Sequence, residues 1–260
     1  MSYGLKMVRI VACDWNRTLF EEPYDSDFFF GLIRKLALLS LGALDIKSTF
    51  RLLKAKHACS VLLERCLDLE PTDSSNRAAL VREMVETLNT FVIRGISEVV
   101  LERYLSEYAT RTANRLDKRL LTPLAKLHDE FGIPTIVLSS GCAPGIRHAL
   151  DKVNFPFELV IANDFERKNG YLEKFNVKVY GNKGALLRDI LSMRNITCDE
   201  AVFIGDDWED RECFEMVKFP IVSFHASQQS KTLLSKACNA FVPGDAVDLE
   251  GFIGARREQC

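Results

Sequence analysis

The sequence predicts an α/β protein: a mostly parallel sheet covered by helices on both faces, in three layers, with an all-helical module inserted after the first strand. Three observations carry this. An apolar, β-branched run from Val8 to Cys13 drives straight into Asp14, the pattern of a buried strand that ends in a carboxylate. From about residue 117 onward, short apolar strands alternate with helical segments, which implies parallel strands joined by crossover helices. Between them, from about residue 24 to residue 116, the pattern is helical almost throughout and contains no convincing strand.

Taken in order, Asp25-Ser26-Asp27 can cap a first helix running to about Leu41, with Gly42 as its stop. A second helix covers Ile46 to about Asp68, and Pro71-Thr72-Asp73 breaks the pattern. A third runs from about Ser75 to Val92, and Gly95 separates it from a fourth that reaches roughly Arg115. Thr122-Pro123 then reads as an N-cap followed by proline at the first helical position, with Gly132 as the stop. Pro134 to Leu138 is a buried strand, Pro144 to about Val153 a helix, and Glu158 to Ile161 a strand. Asn169-Gly170 is a hairpin turn. Gly184 to Arg194 is a helix, Ala201 to Ile204 a strand, Glu209 to Val217 a helix and Pro220 to Phe224 another strand.

Composition narrows the function classes. Hydrophobic content of 47% and charged content of 27% are those of an ordinary globular protein, and a net charge of -2 gives no footprint for nucleic acid. The eight cysteines (Cys13, Cys59, Cys66, Cys142, Cys198, Cys213, Cys238, Cys260) contain no Cys-x-x-Cys pair, and several lie in apolar segments, which points to a reducing, cytoplasmic setting. The run from Met7 to Cys13 carries Arg9 and ends at an acid, unlike a secretory segment. The greasiest stretch, Phe28 to Leu44, is interrupted by Arg34 and Lys35, so no stable membrane association is expected.

Four features fall at strand ends or helix starts. Asp14 and Asn16 follow the first strand, Ser139-Ser140-Gly141 follows Val137-Leu138, Lys183 stands just before a helix, and Gly205-Asp206-Asp207-Trp208-Glu209-Asp210 follows Phe203-Ile204. Ligands of open α/β sheets bind at the carboxyl ends of the strands. With a phosphate ester as substrate, each feature has a task. Asp14 can attack phosphorus. Asp14 and Asp206 offer the hard oxygen ligands that Mg²⁺ prefers, and the cation lets a carboxylate approach a phosphate. A serine hydroxyl and backbone N–H groups can hold phosphoryl oxygens while Lys183 offsets transition-state charge.

Asp14-Trp15-Asn16-Arg17-Thr18-Leu19, Ser139, Lys183 and Gly205-Asp206-x-x-x-Asp210 resemble, in order, the four motifs of the haloacid dehalogenase superfamily of hydrolases. Ala162-Asn163-Asp164-Phe165-Glu166, followed by Asn169-Gly170 and Lys183, is similar to its phosphoserine-phosphatase-like branch, and the helical insertion resembles that superfamily's first type of cap domain. The resemblance implies a Rossmann-like catalytic core from residues 1–19 and 117–260 and a cap from residues 20–116. It also implies a Mg²⁺-dependent phosphatase acting on a small phosphorylated metabolite through an aspartyl-phosphate. Asp14 would be nucleophile and metal ligand, Asp206 the second metal carboxylate, and Asp207 or Asp210 a further ligand or supporting group. Ser139, with Ser140 and Gly141 beside it, and Lys183 would bind the phosphoryl group.

One residue departs from the pattern. The family places an aspartate where this chain has Asn16; its carbonyl ligates the metal and its side chain transfers a proton to the leaving group. Asn16 keeps the carbonyl but has no proton to exchange near neutral pH, a loss of about 10²–10⁴-fold, or roughly 3–5.5 kcal/mol. Two alternatives follow. One is a phosphonate or haloacid hydrolase on the same fold, the former needing a cap lysine such as Lys47, Lys54 or Lys56. The other is a phosphometabolite-binding or interaction protein. His57, Cys59 and Cys66 have no compact zinc spacing. Phe28 to Ile33 is cap core, a homodimer face or the lining of an apolar substrate site; Arg17 and His225 are left open between the site and the surface.

Overall fold

A computed structural model describes residues 8–21, 26–70 and 72–254. Its sheet has six strands, β1 (Ile10–Cys13), β2 (Thr135–Cys142), β3 (Phe157–Lys168), β4 (Tyr171–Asn176), β5 (Ala201–Gly205) and β6 (Phe219–Val222), in the order β4-β3-β2-β1-β5-β6. All neighbours are parallel except the β3–β4 hairpin. β1 lies between β2 and β5, so Cys13 pairs with both Val137 and Ile204; β1 and β5 end within a residue of each other, while β2 runs on to Cys142. All four residues of β1 are fully buried, because its alternate side chains enter different layers. Val11 and Cys13 pack with Leu120, Leu124 and Ile146 on one face; Ile10 and Ala12 pack with Leu187, Ile190 and Phe214 on the other.

Between β1 and β2 the chain forms α1 (Ser26–Gly42), α2 (Ile46–Leu67), α3 (Ser74–Leu88) and α4 (Glu98–Thr112). Asp45, Asp73 and Ser97 cap the last three by accepting a bond from the backbone N–H three residues on. The expected capping by Asp25 and the break at Pro71 lie outside the described residues. Phe28, Leu32 and Ile33 are fully buried in the cap interior, where the Phe28 ring lies 5.3 Å from Tyr104 and 5.1 Å from Tyr108. That interior is shared with the sheet: Phe165 and Phe175 of the β3–β4 hairpin belong to it, and the Phe29 and Phe175 rings are 4.9 Å apart. α3 ends earlier than its periodicity suggests, in a wide π turn at Asn89–Ile93. There the Asn89 side chain accepts from the Phe175 N–H (2.6 Å) and donates to the Phe175 carbonyl (3.1 Å), fastening cap to hairpin.

The two crossings between helical module and sheet lie side by side, with the Asp117 N–H donating to the Leu19 carbonyl at 2.9 Å. The next helix, α5 (Lys118–Phe131), corrects the reading of Thr122-Pro123 as its start. Asp117 is the N-cap, accepting from the Arg119 N–H, and Pro123 sits inside the helix at the cost of one backbone bond. Gly132, with φ +64°, ends it as expected. β2 continues through Ser139-Ser140-Gly141, expected to follow the strand, by slipping register against β3 between Leu138 and Cys142. Asn169 and Gly170 both take positive φ, as a tight hairpin turn requires. The remaining helices are α6 (Ala143–Lys152), α7 (Lys183–Met193), α8 (Arg211–Met216), α9 (Gln228–Cys238) and α10 (Ala246–Gly254). Among the described residues no helix is long and apolar enough to cross a membrane.

Candidate active site

The parallel register of β1 with β2 and β5 brings Asp14, Ser139 and Asp206 to the same edge of the sheet, Ser139 two residues past the Val137 partner of Cys13. Asp14 emerges directly from β1, and its N–H donates to the Ile204 carbonyl at 2.9 Å. Lys183, the first residue of α7, is buried, and its Nζ lies 3.1 Å from Asp14 Oδ1 and 2.7 Å from Asp210 Oδ1. The other Asp210 oxygen, Oδ2, accepts from the Asp206 N–H at 3.1 Å. Gly205 permits this: a Cβ there would fall 2.8 Å from Asp210 Cγ. Oxygens of Asp14, Asp206 and Asp210 lie within 4.8 Å of one another, and all three residues are buried.

The charge count is unbalanced, with three buried carboxylates around one ammonium. Burial, reinforced by the charges of Asp14 and Asp210, holds the Asp206 carboxyl well above its ordinary range. Asp210 is pushed up to about 7, again chiefly by burial, with Lys183 working in the opposite direction. Burial works against the charged form of Lys183, but Asp14 and Asp210 outweigh it and hold its pKa well above that of a free lysine. Hard oxygens, dense negative charge and burial are the chemistry of a divalent-cation site, and these residues fit one.

The other predicted residues are placed as follows. Ser139 is fully buried, and its Oγ accepts from the Gly141 N–H at 3.1 Å. The Ser140 hydroxyl donates to Glu209 Oε2 at 3.5 Å. Asp207 turns away from the three carboxylates: Oδ2 meets Arg77 of α3 at 2.9 Å, and Oδ1 accepts from the Trp208 N–H. Asn16 faces a cavity of about 120 Å³ between cap and sheet, and its buried Oδ1 has no hydrogen-bond partner among the described residues. Arg17 takes a left-handed conformation, φ +50°, and its carbonyl accepts from the Ser223 hydroxyl. His225 pairs with Asp117 at 2.9 Å, beside the crossing into the cap. His57 is exposed while Cys59 and Cys66 are buried, and no grouping of potential metal ligands among the described residues includes them. Lys47, Lys54 and Lys56 are exposed on α2.

Three residues at the site carry no assignment from sequence. Asn163 of β3 donates to the Ser140 carbonyl and accepts from the N–H groups of Lys178 (2.8 Å) and Val179 (3.0 Å), tying the end of β2 to the segment that leads into α7 and Lys183. Arg77 reaches across from the cap to Asp207, 130 positions away in the chain. Glu209 lines the cavity with Asn16 and Ser140, and burial raises its carboxyl pKa. The segment around Asn163 stood out in the sequence; Arg77 gave no local signal. A wider cleft of about 680 Å³ adjoins the cavity, lined among others by Lys183, Arg77, Tyr180 and Glu209.

The sequence profile of haloacid dehalogenase-like hydrolases matches residues 11–215. No curated protein matches the chain. Among solved structures, a protein of unknown function from Bordetella pertussis Tohama I is 17% identical with a TM-score of 0.65, covering 91% of this chain and 98% of its own. A probable phosphoserine phosphatase from Vibrio cholerae is 15% identical with a TM-score of 0.62, over 99% of this chain and 69% of that one. A HAD family hydrolase from Salmonella enterica subsp. enterica serovar Typhi is 17% identical with a TM-score of 0.59; 87% of this chain is covered, but the match spans only 66% of that protein's length. At these identities the likeness is one of fold.

Proposed function

This chain belongs to the haloacid dehalogenase-like hydrolase family, and from that premise we propose that it hydrolyses a small phosphate monoester through an aspartyl-phosphate on Asp14. The observation that carries the reading is the buried group of Asp14, Lys183, Asp206 and Asp210 at the carboxyl edge of the sheet. Phosphatases among the proteins of similar fold support the same reaction class.

In this reading Asp14, Asp206 and Asp210, with the backbone carbonyl of Asn16, would hold Mg²⁺. The cation would screen the phosphoryl charge from the carboxylates. Asp14 attacks phosphorus, and Lys183 both fixes the Asp14 carboxylate and offsets charge on the phosphoryl oxygens. Asp210 orients Lys183 and the Asp206 backbone through its two oxygens. Ser139, with Ser140 and Gly141 beside it, binds phosphoryl oxygens. Water then cleaves the phosphorus–oxygen bond to Asp14. Residues 20–116 act as the cap and 1–19 with 117–260 as the catalytic core, in a cytoplasmic enzyme; the 28–33 stretch that suggested a homodimer face is instead largely buried in the cap interior. The phosphonate alternative lacks support, since Lys47, Lys54 and Lys56 are exposed on α2 and none lines the cavity.

The test is turnover of a phosphate-ester panel, including an activated aryl phosphate, with Mg²⁺ and with Asp14→Asn as control. Mg²⁺-dependent phosphate release by the wild-type protein alone is expected. No release above the Asp14→Asn level refutes the reading.

A further inference from the structure

Resting on that reading, we infer that the substrate is the phosphate ester of a single-ring phenol, its ring seated in the cavity between cap and sheet. Three observations converge on this. First, apart from Arg77, which is paired with Asp207, the cap side of the cavity is carbon and sulfur, with Phe29, Phe30, Leu63, Met84 and Leu88, and Phe175 of the hairpin extends it. Ser140 is engaged with Glu209, Asn163 with three backbone groups, and Asp207 with Arg77 and the Trp208 N–H, which leaves Asn16 Oδ1 and Glu209 Oε1 as unpartnered buried oxygens of the cavity's lining residues among those described. A leaving group with amino, carboxyl or several hydroxyl substituents would strand them against this wall. Second, the volume of about 120 Å³ is of ring size, since a dry apolar cavity of about 150 Å³ accommodates benzene.

Third, Asn16 lines this same cavity where a proton donor would have to stand. With no acid at that position, the leaving oxygen in this proposal departs as an anion. A phenolic oxygen, with a pKa of about 10, does so far more readily than an alkanol oxygen, whose pKa resembles the roughly 15.7 of water. The balanced sequence is short. An Asp14 carboxylate oxygen bonds to phosphorus as the bond from phosphorus to the aryl oxygen breaks, and the electron pair leaves on the phenolate, which takes a proton from water outside the site. A second water attacks phosphorus, the bond to Asp14 breaks and its electron pair restores the carboxylate. The net change is aryl phosphate plus water to phenol plus hydrogen phosphate.

Two measurements test this. In the first, the wild-type protein with Mg²⁺ is given phenyl phosphate, cyclohexyl phosphate and phosphoserine. A kcat/KM at least 100-fold higher for phenyl than for cyclohexyl phosphate is expected, and Asn16→Asp should narrow that ratio at least tenfold by improving the cyclohexyl ester. The second needs no turnover: thermal melts with Mg²⁺ and either phenylphosphonate or methylphosphonate should show at least tenfold tighter binding of the phenyl compound. Val81→Phe, which fills the cavity from its junction with the outer cleft, should remove that preference. Equal use of phenyl and cyclohexyl esters, a preference for phosphoserine, or equal binding of the two phosphonates overturns the inference and leaves the phosphatase reading standing. No turnover of any ester overturns both.

Discussion

Replacing Asp206 by asparagine should stabilise the metal-free protein while destroying its response to Mg²⁺. Asp206 is buried, faces Asp14 and Asp210 within 4.8 Å, and has no cation at ion-pair distance among the described residues. At 4.8 Å each like-charge contact is worth about 3.5 kcal/mol in an effective dielectric near 20. The carboxyl escapes part of this by binding a proton, so its pKa is raised. A raised acid binds more protons folded than unfolded, and stability therefore falls as pH climbs above the unfolded value. From an unfolded value near 3.9, at about 1.36 kcal/mol per pH unit, the penalty has a ceiling of about 1.5 kcal/mol at pH 5 and about 4 kcal/mol at pH 7. Asparagine removes it. For a chain of this length each kcal/mol moves the melting temperature by roughly 2–4 °C. In chelator, the Tm of Asp206→Asn should exceed that of the wild type by several degrees at pH 7 and by much less at pH 5. Adding Mg²⁺ should raise the wild-type Tm and leave the variant unmoved. A destabilised variant, or a gain independent of pH, would refute the account of Asp206 as an uncompensated buried charge waiting for a cation.

Two further outcomes follow from contacts around the cap. Although burial opposes it, bonds from His225 and Arg119 hold the Asp117 carboxyl well below the usual range. Such a group stabilises above its unfolded pKa and loses that contribution as pH falls. Asp117→Asn, which keeps the helix cap, should therefore cost about 1–3 kcal/mol at pH 7 and progressively less below about pH 4, read by urea melts across pH. Arg77→Ala removes the cap-to-core ion pair with Asp207, whose side chains are 13% and 29% exposed. A double-mutant cycle with Asp207→Ala should give a coupling of about 1 kcal/mol in stability, and additive effects would show that the pair does not fasten the cap.

Legibility in the sequence followed locality. Asp14, Lys183, Asp206 and Asp210 could be singled out because each interrupts or punctuates a short apolar segment, and the fold brings all four together. The Asn169-Gly170 turn was legible for the same reason, as a dipeptide with its own backbone preference. Thr122-Pro123 misled because a good capping pair lay one turn inside a helix that Asp117 had already started, held there by its bond to Leu19. Arg77 and Glu209 act across contacts between segments 130 and 69 positions apart, and no short window of sequence contains both partners. Asp207, next to Asp206 in sequence, faces the opposite way because Arg77 draws it toward the cap.

The apolar interior that the cap shares with the β3–β4 hairpin has a bearing on traffic. Swinging the cap clear would bare Phe165 and Phe175, both 4% exposed, at about 1.5–3 kcal/mol for each ring, and would break the paired bonds of Asn89 to Phe175. Full opening is thus a rare event. In the proposed reaction, ester and phosphate would instead come and go by the side cleft lined by Tyr180 and Lys183, a doorway in a fixed wall. If the proposed phosphatase works this way, its turnover is governed by the width of that doorway, and substitutions at Tyr180, which is not among the groups around the carboxylates, should change its rate.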